Sequence, residues 1–561
     1  MSNKKLRVGV LLDDLQVPAW EHKMFRNIID SDYAEICLVV LNGNEKPVVE
    51  NKSIASKINN NRGRLFYLAI RKTLEVVYST LIERNTYLPD ANKSENSEHL
   101  FTEAQHIKVR TIQSKWSDVF YEDDLQEINS HQLDILVRCG FRILRGGILN
   151  AAKYGVWSYH HGDNYKNRGG PAGYWESMEG WPETGSILQI LTEDLDNGRV
   201  LYRSYSSTDV MSVTDNTSNY YWKSLSFITR KMEELHRIGG TSFLQKVDEY
   251  NRHPAFYRER LYVNPTNSEM ARLVATKVIK KIKLQLEQKF MMEQWILLFH
   301  MKSELSSSLW RYQKIIPPKD RFWADPHIIH HNDMYYIYIE EYLYETAIGR
   351  ISVITMDSEG NYSEPEVVLE KPYHLSYPYV FEHEGEYYMI PESYENKTIQ
   401  LYKCTEFPLK WEFQLNLKEN IQAVDATLHR HDNKWWMFAN VVEHEGASTW
   451  DELFLYSSDN LLSTEWAPHP QNPIVSDCKS ARPAGSLFMQ DGALYRPSQN
   501  CSHRYGYGFN ISEVKTLTET SYEEDIVSKV EPNWDKSLTG THTFNRVKSL
   551  HVIDALYKRR A

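Results

Sequence analysis

Cysteine is scarce in this sequence and shows no pairing pattern. Five residues (Cys37, Cys139, Cys404, Cys478 and Cys501) are an odd number without a CxxC spacing, so neither a disulfide framework nor a structural zinc site is indicated. A reducing, cytoplasmic setting is the expectation. Long apolar runs are also missing. The best, around Trp295–Met301, falls short of the ~18 residues of a membrane helix, and Met1 to Asp14 reads as a buried strand rather than an export signal. With 25 glycines, 21 prolines and 41% hydrophobic residues, the composition is that of a folded chain and not of a disordered or fibrous one. Basic charge is not in excess: 64 Lys+Arg against 75 Asp+Glu give a net charge of −11, which argues against a partner that is a nucleic acid. Phosphate cradles are lacking too, because no GxGxxG follows the first apolar run and no GxxxxGK motif occurs.

At roughly 100–200 residues per domain, 561 residues make two to four domains. Residues 1–205 alternate strand and helix signals. Apolar, β-branched runs at Arg7–Leu12, Glu35–Leu41, Ile107–Ile112 and Asp134–Val137 are separated by helical stretches near Trp20–Ile29, 65–83 and Glu122–His131. This predicts an α/β domain with a parallel sheet. Residues 206–294 read as a helical connector, in which Ser268 caps an amphipathic helix over Glu269–Phe290. Its lysines, Lys280, Lys281 and Lys283, are those of a solvated face rather than of a membrane-binding one.

From residue 295 to 561 the texture changes to short aromatic strands in pairs that recur about every 50 residues. Trp323-Ala-Asp-Pro-His is followed by Tyr335–Glu340, Leu375-Ser-Tyr-Pro by Tyr387–Glu392, and Val424-Asp-Ala by Trp435–Ala439; further units start at Ala481 and Gly540. Such a period predicts a five-bladed β-propeller, closed by a strand at Trp295–Met301 pairing with the C-terminal strands.

Candidate chemistry concentrates in two places. In Gly155–Tyr202, the adjacent His160 and His161 can transfer protons near neutrality, and Asp196 is placed to orient an imidazole. In the propeller, Asp325, Glu392 and Asp425 begin or end inner-strand motifs, and Arg482, Gln499 and His542 are further polar candidates. Trp323, Tyr377 and Trp435 are the ring faces expected for a sugar, and Arg482 and His542 the cations for an anionic substituent.

The first segment resembles the catalytic core of the folate-dependent formyltransferases. Gly155 opens the pattern, His160 falls on the histidine, Arg168–Gly169 and Pro171 on the following loop, Thr184–Gly185 on the next strand, and Leu195-Asp196-Asn197-Gly198 on the aspartate motif. Ser158 occupies the asparagine position of that pattern and Gly162 its serine position. The resemblance implies 10-formyltetrahydrofolate as the cofactor, with Arg138, Gly140 and Phe141 lining its site, His160 and Asp196 catalytic, Ser158 or His161 standing in for the amide donor, and Arg168 contacting substrate. The propeller motifs, from Trp323-Ala-Asp-Pro-His to Gly540-Thr-His-Thr, resemble the N-terminal domain of plant glucosamine inositolphosphorylceramide transferases and, more remotely, five-bladed glycoside hydrolases. Together these resemblances imply N-formylation of an amino sugar, nucleotide-linked, in glycan assembly, with no metal required. The alternatives are a glycoside hydrolase or glycosyl-transfer enzyme acting through the propeller, and a glycan-binding protein without catalysis.

Overall fold

A computed structural model describes residues 4–44, 62–64, 67, 69, 88–194, 197–253, 256–305 and 308–561. The helix expected over 65–83 lies outside these residues apart from Tyr67 and Ala69. The chain divides into two compact units, one made mainly of residues 1–204 and 208–279, the other mainly of 280–444 and 448–561.

The first unit is built on a seven-stranded sheet. Its strands are β1 (Leu6–Leu12), β2 (Ala34–Asn42), β3 (Gln105–Val109), β4 (Ile135–Arg138), β5 (Val156–His160), β6 (Glu183–Ile190) and β7 (Arg199–Ser207), in the spatial order β7-β6-β5-β4-β1-β2-β3. Strands β1 to β5 run parallel, and β6 is antiparallel to β5. Side chains alternate across the sheet. Val8, Val10 and Leu12 of β1 face a core with α1 (Ala19–Ile29), whereas Leu11 faces another with Leu125 and Ile128 of α2 (Glu122–Ser130). Burial on both faces is why β1 reads as a continuous apolar run. The strand order reverses between β1 and β4, the crevice where doubly wound sheets build their sites.

The helices that follow are α3 (Tyr174–Glu179), α4 (Val213–Ile238), α5 (Gly240–Tyr250) and α6 (Asn267–Phe290). Leu225, Phe227 and Ile228 of α4 join the core shared with α1, so much of the segment read as a connector is packed against the sheet of the first unit. Thr266, rather than Ser268, caps α6: the Glu269 N–H donates to Thr266 Oγ1 at 3.3 Å while the Thr266 N–H donates to Glu269 Oε2 at 2.9 Å, a reciprocal capping box.

The second unit contains five antiparallel sheets, the blades of the expected propeller. The first four blades start at Arg321–His331, Ser376–His383, Ala423–His431 and Phe488–Gln490. The fifth joins the two ends of the unit: Met291–Met301 pairs along its whole length with Leu550–Arg560. Ile296, Leu298 and Ile553 are fully or almost fully buried in this seam. In the first three blades the inner strand carries a bulge at the same point, after the pairs Ala324–Glu340, Ser376–Glu392 and Val424–Asn440. The bulged residues Asp325, Tyr377 and Asp425 have φ of 51°, 40° and 54°. The equivalent of Asp325 in the second blade is therefore Tyr377, and Glu392 corresponds to Glu340.

Because Ile553 fills the closing seam, Ile553→Ala should cost about 2–5 kcal/mol in denaturant unfolding. Ile526→Ala, at a position 39% exposed on the outermost strand of the fourth blade, should cost less than about 1 kcal/mol. Equal losses at the two positions would show that the seam is no more tightly held than the rim.

Candidate functional sites

In the first unit the loop after β4 is fixed by hydrogen bonds. Arg138 donates from Nε and Nη2 to the Arg142 carbonyl at 3.2 and 3.0 Å, from Nη2 to the Phe141 carbonyl at 2.9 Å, and from Nη1 to Ser158 Oγ at 3.3 Å. The Phe141 N–H donates to Asp13 Oδ1 at 2.8 Å. A Cβ at Gly140 would collide with the backbone of Leu12 and Asp13, so only glycine allows the approach of the two strand ends. Phe141 itself, at φ 63°, packs inward on Phe120 with ring centroids 5.2 Å apart. Its ring is spent on the core and only its backbone is offered to a ligand.

Ser158 and His160 share one face of β5 and His161 points the other way. His160 Nε2 donates to the Asn167 carbonyl at 2.9 Å, and Asn167 Nδ2 donates to Glu176 Oε1 at 2.7 Å. Burial pushes the Glu176 carboxyl up to about 7, and its Oε2 has no partner among the described residues. His161 stands among Trp20, Tyr159, Tyr220 and Tyr221, with ring centroids 4.4–5.5 Å away. Burial there drives its pKa down to about 3, so the ring is neutral and packs as an aromatic side chain, not as a replacement for an amide donor. Arg168 donates to the Asn164 carbonyl at 3.0 Å and to Asn197 Oδ1 at 3.4 Å. Asp196 lies outside the described residues. Not expected from the sequence is Glu21, in the first turn of α1, whose carboxyl is raised to about 8 by burial and by Asp13, against the pull of Arg138.

The propeller brings its six predicted polar residues together. A cavity of about 220 Å³ is lined by Asp325, Glu392, Arg482 and His542, with Glu340, His374 and the rings of Trp295, Phe322, Tyr342 and Tyr505. Asp425 lies directly behind Arg482 and accepts from its Nε at 2.5 Å and its Nη2 at 3.2 Å; Gln499 Nε2 adds a third bond at 2.9 Å. His542 Nδ1 is 2.8 Å from Asp554 Oδ2 and its Nε2 is 3.3 Å from Asp325 Oδ1. Burial opposes charge on His542, yet Asp554 and then Asp325 raise its pKa. Asp554 also accepts from the N–H groups of His542, Thr543 and Asp325 and from Thr543 Oγ1.

Burial raises the other carboxyls. Asp325 reaches about 7 despite His542, and Glu392 and Glu340 rise well above the usual range, helped by their mutual repulsion and that of Asp325 and Asp425. The aromatic lining differs from the expected set: Trp323 and Trp435 are buried between strands, and Tyr377 spends its hydroxyl on the Gly485 N–H and Thr427. Glu340 was missed although it ends the first paired motif as Glu392 ends the second.

A family model described as "Glucosamine inositolphosphorylceramide transferase 1, N-terminal" matches residues 315–558. The chain is 33% identical over 234 residues to glucosamine inositolphosphorylceramide transferase 1 of Oryza sativa subsp. japonica, covering 41% of this chain and 31% of that protein. The Arabidopsis thaliana protein of the same name matches at 33% over 234 residues, 41% and 30% of the two chains. The match thus spans less than a third of the length of these plant proteins. Methionyl-tRNA formyltransferase of Prochlorococcus marinus (strain MIT 9215) is 29% identical over 146 residues, 26% of this chain and 42% of that protein. Among solved structures, the Bacteroides ovatus Xyloglucan PUL GH43B aligns at 13% identity and a TM-score of 0.32 over 43% of this chain and 53% of that one.

Two outcomes follow for the propeller centre. Asp425→Asn leaves the Arg482 guanidinium buried without its ionised partner and should cost about 3–5 kcal/mol, whereas Glu392→Gln, which resembles the protonated acid already favoured, should stay within about 1 kcal/mol in thermal unfolding. For Asp325 the folded state keeps a proton that the unfolded chain releases, so its contribution makes stability fall as pH rises from about 4 to about 7 and adds no slope above that. Asp325→Asn should flatten the stability profile in that window; an unchanged slope would place its titration elsewhere.

Proposed function

We propose that this protein is a glycan-modifying transferase whose propeller cavity seats a saccharide and whose α/β unit transfers a one-carbon group to an amine. The observation that carries this reading is the convergence of Asp325, Glu392, Arg482 and His542, drawn from four blades, on one aromatic-lined cavity. Carbohydrate sites combine such polar groups with ring faces. The plant relatives and the matching family model, named for glucosamine inositolphosphorylceramide transferase, support a glycan as the substrate class.

For the α/β unit we propose formyl transfer to an amino sugar. 10-Formyltetrahydrofolate, when bound, supplies an activated formyl carbon. The donor set beside β5 suits an oxygen that gains negative charge: the Arg138 guanidinium adjoins the Ser158 hydroxyl, so a cationic N–H donor is present where the formyltransferase pattern has an amide. Gly140 keeps backbone, without a side chain, at the crevice. His160 is the group to accept the proton of the attacking amine, steadied through Asn167 and Glu176.

The full-length protein incubated with 10-formyltetrahydrofolate and amino sugars should release tetrahydrofolate, read by absorbance and by mass increase of the sugar. His160→Asn should lower turnover by about 10²–10⁴ with folate binding nearly unchanged. Full activity in that variant would remove His160 from the chemistry. The raised carboxyls of the propeller favour a second reading, glycosidic acid–base chemistry by Asp325 and Glu392. Its mark would be release of reducing sugar that Glu392→Gln abolishes.

A further inference from the structure

Five carboxyls meet near the propeller axis: Asp325, Glu340, Glu392, Asp425 and Asp554. Two cations answer them, and both are already matched. Arg482 is held by two hydrogen bonds to Asp425 and reaches Glu392 Oε2 from Nη2 only at 3.4 Å, and His542 is seated on Asp554 with its Nε2 3.3 Å from Asp325 Oδ1. His374 does not add a third: its Nδ1 accepts from the Gly349 N–H at 3.0 Å, which leaves Nε2 as the hydrogen-bearing nitrogen 3.3 Å from Glu340 Oε1, and its pKa is lowered by burial. Asp325, Glu340 and Glu392 therefore line the cavity with more carboxyl oxygens than the two cations engage. Asp325 Oδ1 is buried and completes no hydrogen bond, and its residue is only 4% exposed.

We infer that the cavity recognises a protonated primary amine, and hence an amino sugar in its free-amine form; this rests on the saccharide reading of the cavity given above. An ammonium group brings three N–H donors to a wall of carboxyl oxygens, and its charge favours the ionised form of acids that burial otherwise keeps protonated. The rings of Trp295, Phe322, Tyr342 and Tyr505 add faces attractive to a cation as well as to a sugar ring. An anionic substituent is disfavoured, because Arg482 and His542 each already hold an ionised carboxylate; this revises the expectation that they bind a phosphate or uronate. A metal ion is disfavoured as well. Asp325, His542 and Asp554 place ligand atoms within 4.8 Å of one another, but Asp554 is engaged by three backbone N–H groups, the Thr543 hydroxyl and the His542 ring. Acylation of the amine would remove the charge that the cavity selects.

Titration calorimetry on the full-length protein with glucosamine, N-acetylglucosamine, glucose and glucuronate tests this directly. Glucosamine should bind at least about tenfold more tightly than the other three. Glu340→Gln and Glu392→Gln should each shrink that preference to about threefold or less while weak glucose binding persists. Equal binding of glucose and glucosamine would overturn amine recognition and leave the saccharide site standing. A preference for glucuronate would overturn it in favour of an anion site, and failure of every sugar to bind would end the saccharide reading and this inference with it. The wild-type sugar series decides the matter even if a variant fails to fold.

Discussion

At the centre of the propeller the backbone of each of the first three blades is held at one residue in the left-handed region, where a bulge places two residues against one on the neighbouring strand. For side chains other than glycine such a conformation costs of order 1–3 kcal/mol. At Asp325 and Asp425 the cost is offset by what the bulge allows. The peptide N–H of Asp325 is turned to the Asp554 carboxylate of the fifth blade, and the Asp425 carboxylate reaches the Arg482 guanidinium of the fourth. Tyr377, at the same point in the second blade, uses the turn to send its hydroxyl to Gly485 and Thr427. The blades are thus tied to one another at the axis by polar side chains that regular pairing would have aimed elsewhere.

Much of this was legible in the sequence, for a physical reason: a blade must bury both faces of a short sheet, so its inner and second strands repeat the same aromatic, β-branched pair. Asp325 and Asp425 stood out because they occupy one point of that repeat. Glu340 did not, because a bulge is invisible in a linear alignment of motifs. In the first unit the apolar runs located β1, β2 and β4 to within a residue or two, since strands buried on both faces carry no polar alternation to confuse them. The neighbours His160 and His161 were given related tasks, yet a strand sends adjacent side chains to opposite faces, and one of them is enclosed by aromatic rings with Ser186 Oγ at 3.1 Å from its Nδ1. Glu21 left no trace because one acid in an amphipathic helix is ordinary; only the strand order, which brings α1 beside Asp13 and Arg138, makes its burial consequential.

The two candidate sites hold buried charge differently. In the propeller cavity Asp425 and Asp554 each have a cation, and Asp325, Glu340 and Glu392 are pushed toward their protonated forms. In the α/β unit the cation Arg138 is satisfied mainly by carbonyl oxygens, which hold a loop without cancelling charge. A guanidinium bound in that way keeps its field available to whatever occupies the crevice.

The pairing of Met291–Met301 with Leu550–Arg560 also sets the order in which the propeller can be completed during synthesis. The earlier strand contains the apolar run Trp295 to Phe299, and its partner is made only after the other four blades. Until then Trp295 to Phe299 present an open edge across the synthesis of some 250 residues, a span of exposure in which unpaired edges invite association with other chains. The seam that gives the finished ring no free edge at this point makes its unfinished form the vulnerable one.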